Sequence, residues 1–270
     1  MQPIRIAMSL KYQRILATGG SGGIGRLLVG EFLREGAEVT VMSRSNNVPK
    51  GSAHVQVELS TLDGIVAAEA AVVREEPDIL VNMAGIQYFG RVEDQGSEEL
   101  FKSYLVNLFA PVSLCRASLP AMKRRNSGQI VNIGSVLGSV PLAHFAVYSS
   151  AKAGLRAFSE ALRRELVGTR VYVTHVSPRA TRTKLMTPAI QKYAQITGMT
   201  IDEPLEVARS IFAGIKQRRK ELCIGIPERV FARINAVLPG LVDAAVARKD
   251  RLSKILFSSM LEGASDGKAP

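Results

Sequence analysis

A doubly wound α/β domain is the fold class this sequence predicts: one parallel sheet of about seven strands, helices on both faces, and a C-terminal helical extension. Three observations carry it. Short β-branched runs alternate with longer helical patterns from Arg14 to Asn132, the signature of repeated βαβ units. The first run meets a glycine-rich turn that opens a helical pattern. No internal repeat, low-complexity tract or Pro/Ser-rich linker divides the chain.

The elements follow in order. Arg14-Ile15-Leu16-Ala17-Thr18 reads as the first strand, a helix runs near Ile24 to Glu35, and Glu38-Val39-Thr40-Val41-Met42 is a second buried strand. Val55 to Glu58, Ile79 to Asn82, Gln129 to Ile133, Val171 to Val176 and Leu222 to Ile224 complete the strands. Helical patterns lie near Leu62 to Arg74, Ser97 to Lys123, Tyr148 to Val167 and Pro204 to Lys216. Residues 1–226 make the main domain, and residues 227–270 an amphipathic extension packed on or near it.

Composition narrows the class. Cys115 and Cys223 lie far apart and outside any CxxC or Cys/His cluster, and His54, His144 and His175 have no ligand spacing. This argues against a disulfide framework or a metal site and fits a reducing cytoplasm. The apolar stretches are broken before the roughly 20 residues a bilayer span needs, and the first eleven residues carry no signal-peptide block, so the expectation is a soluble, unexported chain. The net charge of +11 suits nucleic acid, anionic lipid or a phosphorylated small molecule. No nucleic-acid recognition motif or stacking aromatic cluster accompanies it, so no nucleic-acid partner is expected.

The segment Thr18-Gly19-Gly20-Ser21-Gly22-Gly23-Ile24-Gly25 sits between strand and helix, where small residues let backbone amides approach a pyrophosphate at a helix N-terminus. Gly20, Gly22 and Gly25 satisfy GxGxxG, while Gly19, Gly23 and Gly25 satisfy the looser TGxxxGxG; a tight turn without a ligand is the bland alternative. On the functional reading the domain is Rossmann-type, with Gly19, Ser21, Gly23, Ile24 and Gly25 cradling a dinucleotide. The second strand ends at Ser43-Arg44, without the acid that usually accepts from a ribose 2′-hydroxyl. A guanidinium there can grip a 2′-phosphate, so NADP(H) is favoured over NAD(H), unless Arg44 is only a solvated loop residue.

Tyr148 and Lys152 are four apart in a helical pattern, which puts phenol and ammonium on one face, one turn apart. A nearby cation favours the phenolate and should move Tyr148 down toward useful range. Ser135 follows the strand ending at Ile133, at the sheet's carboxyl edge where ligands of such folds bind, and can hydrogen-bond a substrate oxygen.

From about Arg14 to Thr183, and more loosely to Cys223, the sequence resembles the short-chain dehydrogenase/reductase family. The resemblance rests on the glycine turn, Asn82-Met83-Ala84-Gly85, Asn107, and the Ser135, Tyr148, Lys152 set. It implies that Tyr148 donates a proton to a carbonyl oxygen while NADPH delivers hydride, and that Lys152 holds the nicotinamide ribose and depresses the Tyr148 pKa. It also implies that Ser135 orients the substrate and that Asn107 holds a water linking Lys152 to solvent. Asn82, Ala84 and Gly85 would line the cofactor, and Pro178, Thr181 and Thr183 would meet the nicotinamide end, with Thr183 on the carboxamide. Arg179 stands where the family has glycine, Met83 where it has a second asparagine, and Glu58 where an aspartate commonly contacts adenine.

Gln87-Tyr88-Phe89, Val136 to Phe145 and Lys184 to Met199 should rim the substrate pocket, with Leu137, Leu142, Phe145, Leu185 and Met186 as an apolar wall. His144 either touches substrate or is a loop residue. Beyond the last strand, Val230, Ile234, Val237, Leu238, Leu241, Val242 and Ala245 recur at helical spacing, with Pro239 as a kink. Leu252, Ile255, Leu256 and Met260 continue the stripe among basic residues, and Glu262 to Pro270 read as frayed. This extension is either an amphipathic membrane-surface element or packing against the substrate lobe or another subunit.

These readings converge on an NADPH-dependent reductase, or dehydrogenase, of a lipophilic ketone or secondary alcohol. A 3-oxoacyl thioester on coenzyme A or an acyl carrier would suit the basic surface, and the family resemblance implies a homodimer or homotetramer. The competing class is a non-catalytic dinucleotide-sensing regulator of the same fold; such proteins commonly lose the Tyr or Lys present here.

Overall fold

The computed structural model describes residues 8–247 and 251. The extension residues Arg248, Leu252, Lys254, Ile255, Leu256, Met260 and Glu262 to Pro270 therefore lie outside the described part.

Seven strands form one sheet in the order β3-β2-β1-β4-β5-β6-β7, every pair parallel. They are β1 (Arg14–Thr18), β2 (Glu38–Ser43), β3 (Ala53–Gln56), β4 (Ile79–Asn82), β5 (Gly128–Ile133), β6 (Val171–Ser177) and β7 (Glu221–Cys223). Strands β3 and β7 sit earlier than the sequence reading by two residues and one. Pairing decides their limits: His54 lies opposite Val41, and Leu222 opposite Val176.

Side chains alternate across the sheet into two cores. Leu16, Leu80, Ile130 and Val173 pack with Ile65 of α2 (Leu62–Glu75), Leu114 of α4 (Ala110–Arg124) and Leu162 of α5 (Ala146–Glu165). Ile15, Ala17, Val39, Val81 and Val131 pack on the other face with Leu28 and Phe32 of α1 (Gly23–Arg34) and with Ile211 and Ile215 of α7 (Pro204–Lys216). Both faces are covered, which is why the strands read as nearly unbroken apolar runs. Full burial of a side chain such as Leu28 or Phe32 stabilises the fold by about 1.5–3 kcal/mol.

The single helix expected from Ser97 to Lys123 is continuous over 97–124 but not uniform. Helix α3 (Ser97–Tyr104) passes through a π-turn at Leu105–Phe109 before α4 begins. This helix is apolar and long enough to cross a bilayer, a feature the sequence reading missed because it looked for unbroken apolar stretches. More than half of its most apolar window is buried in the protein, which accounts for that hydropathy through core packing.

Helix α6 (Pro188–Thr197) fills a region read only as pocket rim. Its signals were present: Thr187 caps the N-terminus through the Ile190 amide, Pro188 starts the first turn, and Gly198 ends the helix at φ 66°. After α8 (Ile226–Val237) the chain leaves helix at Leu238 and resumes at Pro239, the expected break.

Candidate active site

The strand order reverses at β1 and β4, so their connections leave in opposite directions and open a crevice at the carboxyl ends of the strands. The glycine turn, the tip of β2 and Ser135 all lie at this edge.

At the crevice floor, Gly19 adopts φ 69°, and a β-carbon there would stand 2.8 Å from the Ala84 amide nitrogen. A β-carbon on Gly25 would collide with the Gly19 carbonyl, so only glycine lets the turn close this tightly. Gly22 precedes α1 without a capping side chain, and the first turn carries no acid. This leaves amide hydrogens and a positive helix end facing the crevice, a fit for a pyrophosphate. The Thr18 hydroxyl accepts from the amides of Met83 and Ala84, at 3.0 and 3.1 Å, and locks the ends of β1 and β4 together. Thr183 faces Gly23 from above, 3.3 Å from where a β-carbon would lie. The half-buried Ser21 stays in this turn, and Ile24 and Gly85 line the adjoining cleft.

Asn82 behaves differently from a cleft residue. Its amide points inward, donating to Asn132 at 2.8 Å, and Asn132 in turn donates to Ser159 of α5 at 2.9 Å. This buried ladder ties β4, β5 and α5, so Asn82 holds the strand end rather than presenting its side chain to the crevice.

At the tip of β2 the Ser43 hydroxyl is buried and donates to the Ser45 carbonyl at 2.7 Å, whereas Arg44 is exposed. The sequence reading found no carboxylate at this tip. The fold brings one: Glu58, beyond β3, stands 3.8 Å from the Arg44 guanidinium. Register is the reason, since Ser43 pairs with Gln56 and Glu58 follows two residues later.

Across the crevice, α5 carries Tyr148 and Lys152 in its first two turns, both buried. Ser135 neighbours Tyr148 and acts to lower its pKa. Ser135 also accepts from the Leu137 amide at 3.1 Å, which fixes its side chain at the mouth of a short turn, Val136–Gly138. Lys152 donates to the Ile133 carbonyl at 3.0 Å, with its nitrogen 5.8 Å from the Tyr148 ring centroid. Burial dominates both groups. It pushes the Tyr148 phenol up to about 12, against the lowering effect of Ser135, and the Lys152 ammonium down to about 8. The lowering of the phenol that the sequence reading expects from Lys152 is not the dominant effect here: burial raises Tyr148, Ser135 opposes it, and the Lys152 ammonium is directed to a strand carbonyl.

Asn107 sits inside the π-turn, wholly buried, and bonds to Ile86 and Ser103. A β-carbon on Gly85 would lie 3.1 Å from the Asn107 side-chain oxygen and 3.8 Å from the Lys152 nitrogen, so both groups converge on that glycine. His175 is buried under Gly134, and desolvation, with the nearby charges of Lys152, Arg156 and Arg163, holds it down to about 3. It is neutral at physiological pH.

The cleft widens into a cavity of about 420 Å³. Leu137, Leu142, Phe145, Leu185 and Met186 all line it, as do Pro178, Thr181 and Thr183. Phe89, His144, Phe145 and Tyr193 pack as one aromatic cluster, with Phe89 and Phe145 centroids 4.8 Å apart. His144 holds φ 69° at its edge. Arg179 turns from the glycine-like role into a clamp: it forks onto Asp202 at 2.8 and 2.7 Å and reaches Glu228 of α8 at 3.3 Å. Sequence reasoning missed Thr18, and it missed Phe231 and Val246, which line the cavity from the extension. Only the apolar stripe hinted at these two.

A family profile described as short chain dehydrogenase matches residues 13–194. The Dehydrogenase/reductase SDR family member 7B of Mus musculus is 29% identical, over 94% of this chain and 87% of the relative. The ketoacyl reductase HetN of Nostoc is 31% identical over 80% and 79%. The 3-dehydrosphinganine reductase TSC10B of Arabidopsis thaliana is 28% identical over 80% and 71%. Among solved structures, a short-chain dehydrogenase from Sphingobium yanoikuyae in complex with NADPH aligns with a TM-score of 0.71, 25% identity and coverage of 86% of this chain and 96% of that one. With the profile covering more than half of its length and its site residues in one crevice, the chain belongs to the short-chain dehydrogenase family, oxidoreductases that act on CH–OH and C=O groups with NAD(P).

Proposed function

We propose that this protein is an NADPH-dependent reductase of a lipophilic ketone, able to run in reverse on the secondary alcohol. The observation that carries this reading is the buried Tyr148 phenol, lining with Ser135 and Lys152 an apolar cavity that adjoins the glycine cradle. A nicotinamide bound in the crevice would supply hydride to the carbonyl carbon. Gly19, Ser21, Gly23, Ile24 and Gly25 would hold its pyrophosphate, Ala84 and Gly85 its inner edge, and Pro178, Thr181 and Thr183 the carboxamide end.

The protein's own groups manage the oxygen and the proton. Ser135 donates to the substrate oxygen and orients it. Tyr148 gives up its proton to that oxygen as charge develops there, and its high pKa keeps the proton available until then. Lys152 stabilises the resulting phenolate and, with Asn107 facing the same glycine, forms the path by which a proton returns. The aromatic cluster and apolar wall exclude water from the reacting carbon.

The NADPH preference rests on Arg44, with Glu58 moderating it. A homo-oligomer is part of the proposal, supported by the exposed Phe101 and Phe109 on the long helix, as is a cytoplasmic location with peripheral membrane contact. The main domain is taken as residues 1–226 and the extension as 227–270. A 3-oxoacyl thioester remains the leading specific substrate, supported by the basic surface.

The test is a screen of ketones and acyl thioesters with NADPH and with NADH, following loss of nicotinamide absorbance. Turnover of apolar ketones that favours NADPH is the expected result. Failure to oxidise either cofactor with any carbonyl would overturn the reading.

A further inference from the structure

The cavity does not end at the reacting centre. Besides Tyr148 and Ser135, its lining takes in Phe145, Tyr193 and Met199, and also Phe231 and Val246. These last two come from the extension, so α8 and the helical residues 239–247 that follow contribute part of the wall. A small ketone held at Tyr148 and Ser135 would fill only part of this cavity of about 420 Å³. Arg179, the one arginine among the described lining residues, is already engaged by Asp202 and Glu228. It presents no unspent charge to an anionic substrate group, and the lining suits an alkyl chain.

The mouth opens onto an unusual surface. Phe231 lines the cavity yet is itself exposed, and it continues outward into Val230, Ile234, Val237, Leu238 and Leu241. Val237 is 76% exposed and Leu241 61%. Val230, Ile234, Val237 and Leu241 recur at helical spacing, and exposed apolar side chains gathered on one helix face mark an interaction surface.

Three contacts hold α8 in the orientation that leaves them outside. Its Glu228 is tied to Arg179, Arg229 donates to the Cys223 carbonyl at 3.2 Å, and Asn235 donates to the Ser139 carbonyl at 2.9 Å. The following helix turns Val242 inward and leaves Leu238 and Leu241 outside. Arg229 and Arg233 are exposed on the same helix, on a protein of net charge +11. An apolar face flanked by arginines matches the chemistry of an anionic bilayer surface, acyl chains below and phosphates above.

We infer that the α8 face docks on an anionic lipid bilayer, and that a long-chain ketone passes from the bilayer between Met199, Phe231 and Val246 to reach Tyr148. The substrate half of this inference rests on the reductase reading above; the docking half stands without it.

The experiment compares the full-length protein with the double variant Val237→Ser, Leu241→Ser; neither residue lines the cavity. Flotation is measured with vesicles of phosphatidylcholine alone and with vesicles of equal phosphatidylcholine and phosphatidylglycerol. NADPH oxidation is measured with ethyl 3-oxopalmitate, presented either in neutral detergent micelles or in the mixed vesicles. The unaltered protein should float with the mixed vesicles and less with phosphatidylcholine alone. The variant should lose about ten-fold in bound fraction and in rate on the vesicle-borne ketone, with its rate in micelles unchanged. Equal flotation of the two proteins, or no flotation of the unaltered one, overturns the docking. A dimer that the double variant dissociates also overturns it, because the face would then be covered by a second copy. Docking as expected, with equal rates of the two proteins on the vesicle-borne ketone, overturns the entry route. If the unaltered protein oxidises no NADPH even in micelles, the substrate half falls with the reductase reading, while flotation still decides the docking.

Discussion

Asn107 and Ile86 exchange two hydrogen bonds: the Asn107 amide donates to the Ile86 carbonyl at 2.8 Å, and the Ile86 amide donates back to the Asn107 oxygen at 3.3 Å. A side chain here imitates a strand partner for the segment that follows β4. The π-turn makes this possible, because the extra residue in the turn re-aims position 107 at that backbone. Asn107→Ala would leave the Ile86 groups without their partner and should cost about 1–3 kcal/mol. Chemical denaturation, with turnover measured alongside, checks this; a variant of unchanged stability contradicts the bracing role.

Tyr148→Phe keeps the ring and removes the proton. Turnover should fall by about a hundred- to ten-thousand-fold, with NADPH affinity held within a few fold, because the phosphate cradle is untouched. Fluorescence titration and steady-state kinetics give both numbers, and a variant with substantial activity would sink the proton-donor assignment.

The pH dependence follows from Lys152. Its amine, pushed down to about 8 by burial, loses its proton well before the same lysine in the unfolded chain. Between those two values unfolding takes up a proton, so this group opposes folding less as pH rises, and its burial penalty is fully present below about 8. For catalysis the sign is opposite, since the useful species is the ammonium. The kcat/KM for NADPH should decline on an alkaline limb near 8, and Lys152→Arg should move that limb upward. A profile flat across this range, or a limb that stays in place in the variant, contradicts the role.

Arg44 and Glu58 should pull cofactor choice in opposite directions. Arg44→Asp is expected to weaken NADPH by about ten-fold or more relative to NADH. Glu58→Gln frees the guanidinium from an exposed partner 3.8 Å away and should tighten NADPH by about two- to five-fold. Dissociation constants for both cofactors decide this, and an unaltered protein that binds them equally well would refute the reading.

Arg179→Gly restores the residue usual in the family but strands two carboxylates. Asp202 and Glu228 would lose their shared cation, costing about 1–3 kcal/mol and loosening α8 from the cleft. Thermal melting tests the first effect, and faster protease cleavage near Glu228 the second. Melting and cleavage unchanged from the parent would show that Arg179 is not the clamp.

Local chemistry made much of this protein legible in one dimension. The βαβ rhythm, the glycine turn at the end of β1 and the four-residue spacing of Tyr148 and Lys152 are short-range patterns. Backbone sterics and helix geometry act on them directly, so they could be read without knowing what lies across the fold. Even α6 was announced by Thr187, Pro188 and Gly198, though its signals went unread.

What the sequence left open depended on distant partners. Glu58 reaches Arg44 because of how β2 and β3 register. Asn82 turns inward because Asn132 and Ser159 wait there, and Tyr148 and Lys152 titrate as they do because packing removes water from both. Arg179 becomes a clamp only when Asp202 and Glu228 arrive from opposite sides. Desolvation and long-range pairing are properties of neighbours far apart in the chain, and only the tertiary structure decides who those neighbours are.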